Sequence, residues 1–356
     1  MDKIRVGIIG CGGIFRNLHT PYYQEPTCRA EIVAIADLNE DAAKEQAAPF
    51  GADAYSDYRA LLDQDDIDAV DVCCHPAPHR EIALAAAEAG KHILMEKPMC
   101  RTVAEGDDMI AAAEKAGVLL QVAYMMRYIP AYQKLKALLK DGTLGTLQMA
   151  YSNQLNFFLP QKPWLFVKEE AGGMLIEQAI HHFDLWLWLY GEAASVYGFT
   201  SHVPLGGPYP EPEIAVENNA AMIIQFKAGG IGMMMKSWAA AMGHRGDGVV
   251  CSLGSAEIGN GGLHWKVNDR PESEAFNPEP PDDDTYRTLP PQRRAQRYWS
   301  VAAKGKGIEH WLKCIAGEEA PTTDGQIGRA GIELAEAVYR SSETGVLVSL
   351  PILQNA

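Results

Sequence analysis

Residues 4–15 read IRVGIIGCGGIF, and this stretch decides the fold. It opens as a nearly unbroken apolar run, the character of a strand covered on both faces. Gly10 and Gly12 then take the first two places of a G-x-G-x-x-G turn, and Phe15 stands where a third Gly or Ala belongs. In such a turn the first glycine permits the sharp bend. The second lets backbone N–H groups approach a pyrophosphate, and the following helix offers its N-terminal dipole to the phosphates. A bare G-x-G also caps ordinary turns, so the position between a first strand and a helix is what favours a dinucleotide site. Phenylalanine at the third place predicts a wider approach of helix to strand.

Working outward, residues 31–38, 67–74, 92–96 and 118–124 repeat the apolar strand character. Residues 39–50, 79–91 and 102–117, rich in Ala and Glu, predict helices between them, the last with a glycine C-cap. Strand–helix alternation implies right-handed crossovers and a parallel sheet, hence an α/β domain over residues 1–125. Asp37 ends the second strand. An acid there accepts both ribose hydroxyls of adenosine and repels a 2′-phosphate, and no Lys or Arg follows before Lys44, which favours NAD over NADP. Capping of the next helix is the plainer role for Asp37, and Asn39 serves that equally well.

After Arg127 the rhythm changes, and residues 126–356 predict a second domain for substrate binding and assembly. Residues 130–142 read as a helix, 146–155 as a half-buried strand and 172–191 as one long apolar helix. Strands follow at 194–202, 219–229, 230–240 and 248–259, with a hairpin at 228–230, so this sheet is antiparallel or mixed. Helices at 301–317 and 325–345 close the chain. Residues 267–295, proline-rich and acidic, read as a long surface loop.

The 356 residues exceed what one core usually holds. With 46 acidic against 31 basic side chains the formal charge is −15, which disfavours nucleic acid and anionic lipid as partners. No aliphatic run approaches the ~20 residues of a membrane span. The N-terminus enters a strand directly, without a signal-peptide pattern. Seven cysteines without a CxxC pair suggest free thiols in a reducing cytoplasm.

Two segments carry candidate chemistry. In HILMEKPM (92–99) an apolar strand runs straight into Glu96, Lys97 and Pro98. Proline restricts Lys97 to extended geometry, and ligands of open parallel sheets sit beyond the carboxyl ends of strands. An exposed Glu96–Lys97 pair is the competing reading, and for an isolated EKP it would prevail. In EQAIHHFD (177–184), Glu177, His181 and Asp184 are spaced i, i+4, i+7, so a helix would set an imidazole between two carboxylates, as a general base needs. His182 points elsewhere, as a core or interface residue. Glu177 and His181 also have ligand spacing, but no third ligand motif accompanies them and HPAPH (75–79) cannot be helical, so no metal is expected. Trp186 and Trp188 read as helix packing, and Met233–Met235 as sheet and subunit packing with alternating faces.

Together these residues resemble the Gfo/Idh/MocA family, that is, glucose–fructose oxidoreductase, inositol dehydrogenase and their relatives. The likeness runs through VGIIGCGGI (6–14), VAIADLNEDAA (33–43), HREIALAAAEAGKHILMEKPM (79–99) and MRYIPAYQKLKALLKDGTLG (126–145). It continues in GGMLIEQAIHHFDLWLWLYGE (172–192) and TDGQIGRAGIELAEAVYRSSETG (323–345). The resemblance implies an N-terminal Rossmann domain with a doubly wound parallel sheet. It also implies a C-terminal α+β domain whose large, mostly antiparallel open sheet builds homodimers or homotetramers. It further implies NAD(P)-dependent hydride transfer at a carbinol carbon of a sugar or cyclic polyol. The lysine of E-K-P and the histidine of D-x-x-x-H are catalytic in the family, which maps to Lys97 and His181, with Glu177 in the acid position. Implied cofactor contacts are Gly10, Gly12, Gly13, Ile14, Phe15, Asp37, Cys74, His75, Pro76, His79, Glu96, Lys97 and Arg127. Implied substrate contacts are Lys97, Trp164, Glu177 and His181. The chain departs from the family in five places. Phe15 alters the phosphate turn. Glu177 replaces the commoner Asp, and Ala179 the commoner Gly. HPAPH is one residue tighter than the usual T-P-N-x-x-H loop, and Leu165 follows Trp164 where many relatives have Arg. Alternatives within the same fold are an NAD-dependent glycosidase working by transient oxidation, a non-catalytic dinucleotide sensor, and a reductase of non-sugar carbonyls.

Overall fold

The computed structural model describes residues 3–158, 162–204, 216–259, 262–278 and 291–352, with backbone alone over 291–296. Two compact units emerge, Met1–Met125 with Ser300–Ala330, and Met126–Trp299 with Gly331–Ala356.

The first unit begins with β1 (Ile4–Ile9), a π-helical turn (Phe15–His19) and α1 (Thr20–Tyr23). It continues through β2 (Ala30–Ala36), α2 (Glu40–Ala47), β3 (Asp53–Tyr55), α3 (Tyr58–Leu62) and β4 (Ala69–Val72). Next come α4 (His79–Glu88), β5 (His92–Met95), α5 (Val103–Ala116) and β6 (Leu120–Val122). All pairings are parallel, in the order β3-β2-β1-β4-β5-β6. The order reverses between β1 and β4, and a doubly wound sheet opens its ligand crevice beyond the carboxyl ends of those two strands. The core joins Val6, Ile8, Ile35 and Leu94 of the strands to Ile308, Trp311 and Leu312 of the returning segment. The glycine C-cap of α5 is Gly117, left-handed at φ 69°. Phe15 is fully buried in this core. The turn that starts at Phe15 widens to π geometry, which accommodates the bulky side chain where a glycine would let the helix lie close on β1.

The second unit carries α6 (Pro130–Lys140), β7 (Leu147–Phe157), α7 (Lys168–Ala171), a π-helical turn (Leu175–Ala179) and α8 (Ile180–Tyr190). Its further strands are β8 (Ala193–Ser201), β9 (Asn219–Phe226), β10 (Ile231–Ser237), β11 (Ala239–Cys251), β12 (Gly254–Gly259), β13 (Gly262–Val267) and β14 (Glu274–Phe276). The helices α9 (Pro291–Ile315) and α10 (Gly325–Thr344) contribute to both units, and β15 (Val348–Ser349) follows. The sheet order is β14-β13-β12-β11-β7-β10-β9-β8-β15. Only β7 and β10 pair in parallel; the other neighbours are antiparallel. The hairpin expected at 228–230 joins β9 to β10, with Gly229 at φ 96° and Gly230 at φ 80°. One sheet face buries Ala220, Met222, Ile224 and Met234. Trp186 of α8 lies so close to this face that a Cβ on Gly232 would come within 2.4 Å of its ring.

Three expectations need correction. The apolar helix expected over 172–191 starts as a π turn at Leu175. The strand read over 248–259 is two strands, because the chain turns between Cys251 and Gly254. The loop expected over 267–295 contains β14, and α9 already begins at Pro291; its residues 279–290 lie outside those described. Proline is well placed at a helix start, and the following Gln, Arg and Ala residues favour helix.

Candidate active site

The glycine turn follows β1 at the reversal of strand order. Gly10 sits at φ 89°, and a Cβ there would lie 2.8 Å from the Cys74 nitrogen, so only glycine lets the loops after β1 and β4 pass each other. A Cβ on Gly12 would meet nothing within 4 Å, which leaves the backbone open to a phosphate ligand. Gly13 and Ile14 beside it are exposed at the start of the helix. Asp37 follows β2 and spans toward the turn, its carboxylate accepting the Cys11 N–H at 2.9 Å and the Asn39 N–H at 2.9 Å. Capping of α2 falls to Asn39, which accepts the Ala42 N–H at 3.1 Å. Burial and the Asp37 charge push the Cys11 thiol up to about 12, so it is neutral at physiological pH. These residues fit a dinucleotide: an open phosphate cradle, and a carboxylate placed for a ribose diol.

The E-K-P turn follows β5. Glu96 is buried, and its carboxylate meets His19 Nε2 at 2.8 Å and the Lys304 ammonium. The other ring nitrogen of His19 lies 2.7 Å from Asp71, which also accepts the Tyr23 hydroxyl at 2.9 Å. Cys73 Sγ lies 3.5 Å from His19 Nδ1 and 3.4 Å from Asp71. Burial alone would raise the Glu96 carboxyl pKa; the Lys304 charge and the His19 hydrogen bond outweigh it and hold the group well below the usual carboxylate range. Burial alone would lower the His19 pKa, but the Asp71 charge and the bonds to both carboxylates leave it raised. Lys97 is half-buried, its N–H donating to Glu96 Oε2 at 3.1 Å, and the Lys97–Pro98 bond is cis. The Pro98 carbonyl lies 3.0 Å from Nδ1 of the buried His79, whose Nε2 lies 3.3 Å from the Cys74 carbonyl. His75 is half-buried and Pro76 buried in the same loop.

In the second unit, Glu177 lies in the π turn and His181 in the first turn of α8. The expected α-helical face of Glu177, His181 and Asp184 is corrected on two counts. The π turn breaks the 3.6-residue register before His181. The Asp184 carboxylate is bound by Arg127, at 2.9 Å from Nε and 2.5 Å from Nη2. Burial pushes the Asp184 carboxyl up to about 6 against the Arg127 charge. Gly172 and Gly173 lead into the π turn at φ 80° and 103°, and a Cβ on Gly173 would lie 2.2 Å from the Tyr339 hydroxyl. His182 is buried, with Nε2 4.0 Å from Asp247, and burial lowers its pKa to about 4. Trp164 sits half-buried in a short 3₁₀ turn (Pro163–Phe166), and Leu165 is buried beside it.

The His19–Asp71–Glu96–Lys304 network escaped the sequence reading. One signal was present: Asp71 is a charge inside a strand whose neighbours are all apolar. Nothing in the sequence ties Lys304 to it.

Residues 4–124 match the family model described as "Oxidoreductase family, NAD-binding Rossmann fold", and residues 132–257 match the "GFO/IDH/MocA C-terminal domain". The chain is 28% identical to the D-apiose dehydrogenase of Paraburkholderia graminis over 99% of this chain and 92% of that one. It is 32% identical to the levoglucosan dehydrogenase of Pseudarthrobacter phenanthrenivorans, over 65% of this chain and 67% of the relative. The crystal structure of the WlbA dehydrogenase of Bordetella pertussis, in complex with NADH and UDP-GlcNAcA, superposes with a TM-score of 0.81 at 28% identity, covering 99% of each chain. On sequence and on fold alike, this chain belongs to the Gfo/Idh/MocA family of oxidoreductases.

Proposed function

We propose that this chain is an NAD-dependent oxidoreductase that transfers a hydride between the nicotinamide and a secondary alcohol or ketone of a sugar or cyclic polyol. The observation that carries this reading is the combination, in one unit, of an open glycine turn at the strand-order reversal, Asp37 at the end of the neighbouring β2, and Lys97 at the carboxyl end of β5 in the same sheet. The activities named for the D-apiose and levoglucosan relatives support it. When bound, NAD supplies the hydride acceptor. The chain supplies placement and field: His181 takes the hydroxyl proton, Glu177 holds the imidazole in orientation, and Lys97 donates a hydrogen bond to the same oxygen as charge develops. Trp164 is assigned to the sugar, and Arg127, fixed by Asp184, to the cofactor.

The assignment extends to setting. The cysteines described are all free, and no helix among the described residues is long and apolar enough to cross a membrane; both accord with a cytoplasmic enzyme. Homo-oligomers form through the outer face of the second unit's sheet, where Ile223, Met233 and Met235 are exposed.

Purified protein is to be screened with NAD and NADP separately against D-apiose, levoglucosan and myo-inositol, following absorbance of the reduced nicotinamide. Turnover with NAD is expected. Lys97→Met lowers kcat at least about 100-fold by removing a placed hydrogen-bond donor; turnover near wild type sinks the assignment.

A further inference from the structure

We propose that Lys304 is a positioning residue for Lys97, acting through Glu96 together with His19. The inference rests on the reading above that Lys97 is catalytic. Glu96 links the end of β5 to the lysine in two ways. It is the preceding residue, and its own carboxylate accepts the Lys97 N–H at 3.1 Å. A glutamate free to change rotamer would carry that bond with it. Here the carboxylate cannot turn, because His19 holds it from the π turn after β1 at 2.8 Å and the Lys304 ammonium holds it from α9. Each holder is itself anchored. His19 is fixed by Asp71 at 2.7 Å, and Asp71 also takes the Tyr23 hydroxyl. Lys304 donates in addition to the Ala123 carbonyl at 3.2 Å, just beyond the end of β6. On its far side the turn is held by His79 at the Pro98 carbonyl, 3.0 Å away.

The arrangement exceeds what stability asks for. Buried ion pairs are commonly replaced by apolar residues at no loss of stability. What the charges add is a single orientation for the backbone from which the Lys97 side chain leaves. The lysine of α9, more than two hundred positions later in the chain, therefore belongs to the catalytic apparatus without touching substrate.

The test is the paired variant Lys304→Met with Glu96→Gln, which removes both charges and leaves no unpaired buried ion. NADH binding is followed by fluorescence titration, folding by thermal melting, and turnover on the fastest substrate of the panel named above. The expected result is a melting temperature close to wild type, NADH still bound, KM for the sugar unchanged, and kcat lower by about 10- to 100-fold, the cost of a misplaced catalytic group. Glu96→Gln alone, isosteric and still able to accept the Lys97 N–H, gives a milder loss with the same split of kcat from KM. In a Lys97→Ala background the paired change causes no further loss, because a residue that acts through Lys97 has nothing left to act on. Wild-type kcat in the paired variant, or a full additional loss in the Lys97→Ala background, overturns the positioning role. Wild-type turnover in Lys97→Ala alone overturns instead the functional reading on which it rests.

Discussion

At the scale of single residues, burial decides what each titratable group can do. His182 is the clearest case. Burial lowers its pKa from the ordinary 6.5 to about 4, with the nearby Asp247 charge opposing and the Lys236 charge assisting. Between these two values the unfolded chain binds the proton and the folded chain does not. Its contribution to stability is therefore complete above pH 6.5 and is lost as pH falls toward 4. The full difference is about 3 kcal/mol. His19, whose pKa is raised, works in the opposite sense, and His79, whose pKa is lowered, works in the same sense. A His182→Gln variant isolates one contribution from the others. Its urea midpoint is expected to fall less than that of wild type between pH 7 and pH 5, and equal slopes would refute the assignment. Legibility at this scale was uneven. Gly10, Asp37 and Lys97 announced themselves because their places follow from strand ends. His19 and Lys304 did not, because a polar residue on a helix means nothing until its partner is known.

At the scale of elements, the sequence was most readable where burial is symmetrical. The strands β1, β2, β4 and β5 are largely covered on both faces, so each shows a mostly apolar run, broken in β4 by Asp71. β3 was missed because Asp-Ala-Tyr is too short and too polar to show one. β11 was seen only at its end, since its middle, Gly-His-Arg-Gly-Asp-Gly, has no strand-forming side chains to signal it. The π turns at Phe15–His19 and Leu175–Ala179 add one residue to a helical turn, which periodicity over a short window does not reveal. The contact of α8 with β10 is testable at this level. At Gly232 of β10 the Trp186 ring presses on the backbone, with 2.4 Å left for a Cβ. Gly232→Ala must displace a large, fully buried ring. We expect a loss of about 1–3 kcal/mol in urea denaturation, and a neutral outcome would show that the ring gives way freely.

At the scale of the molecule, the second unit's sheet has a face on which apolar side chains stay exposed among the described residues. Met233 lies opposite Ile223 and Tyr151, Met235 opposite Ala221, and Val250 opposite Met149, so the exposed side chains form one continuous field across β9, β10, β7 and β11. Ile223, Met233 and Met235 are each about half exposed, at 46%, 44% and 45%. An exposed apolar field of this size is what the assembly face proposed above requires. Ile223→Glu with Met233→Glu should lower the mass found by light scattering while leaving far-ultraviolet circular dichroism unchanged. An unaltered mass would place the interface elsewhere. The first unit has a different peculiarity. Ile308, Trp311 and Leu312 complete its core, and Lys304 pairs with its buried Glu96 carboxylate. A ribosome working from the amino end thus releases the glycine turn, Asp37 and Lys97 long before the helix that seals them exists. The nucleotide-binding unit waits, for its last core residues, on chain made after most of the second unit's sheet.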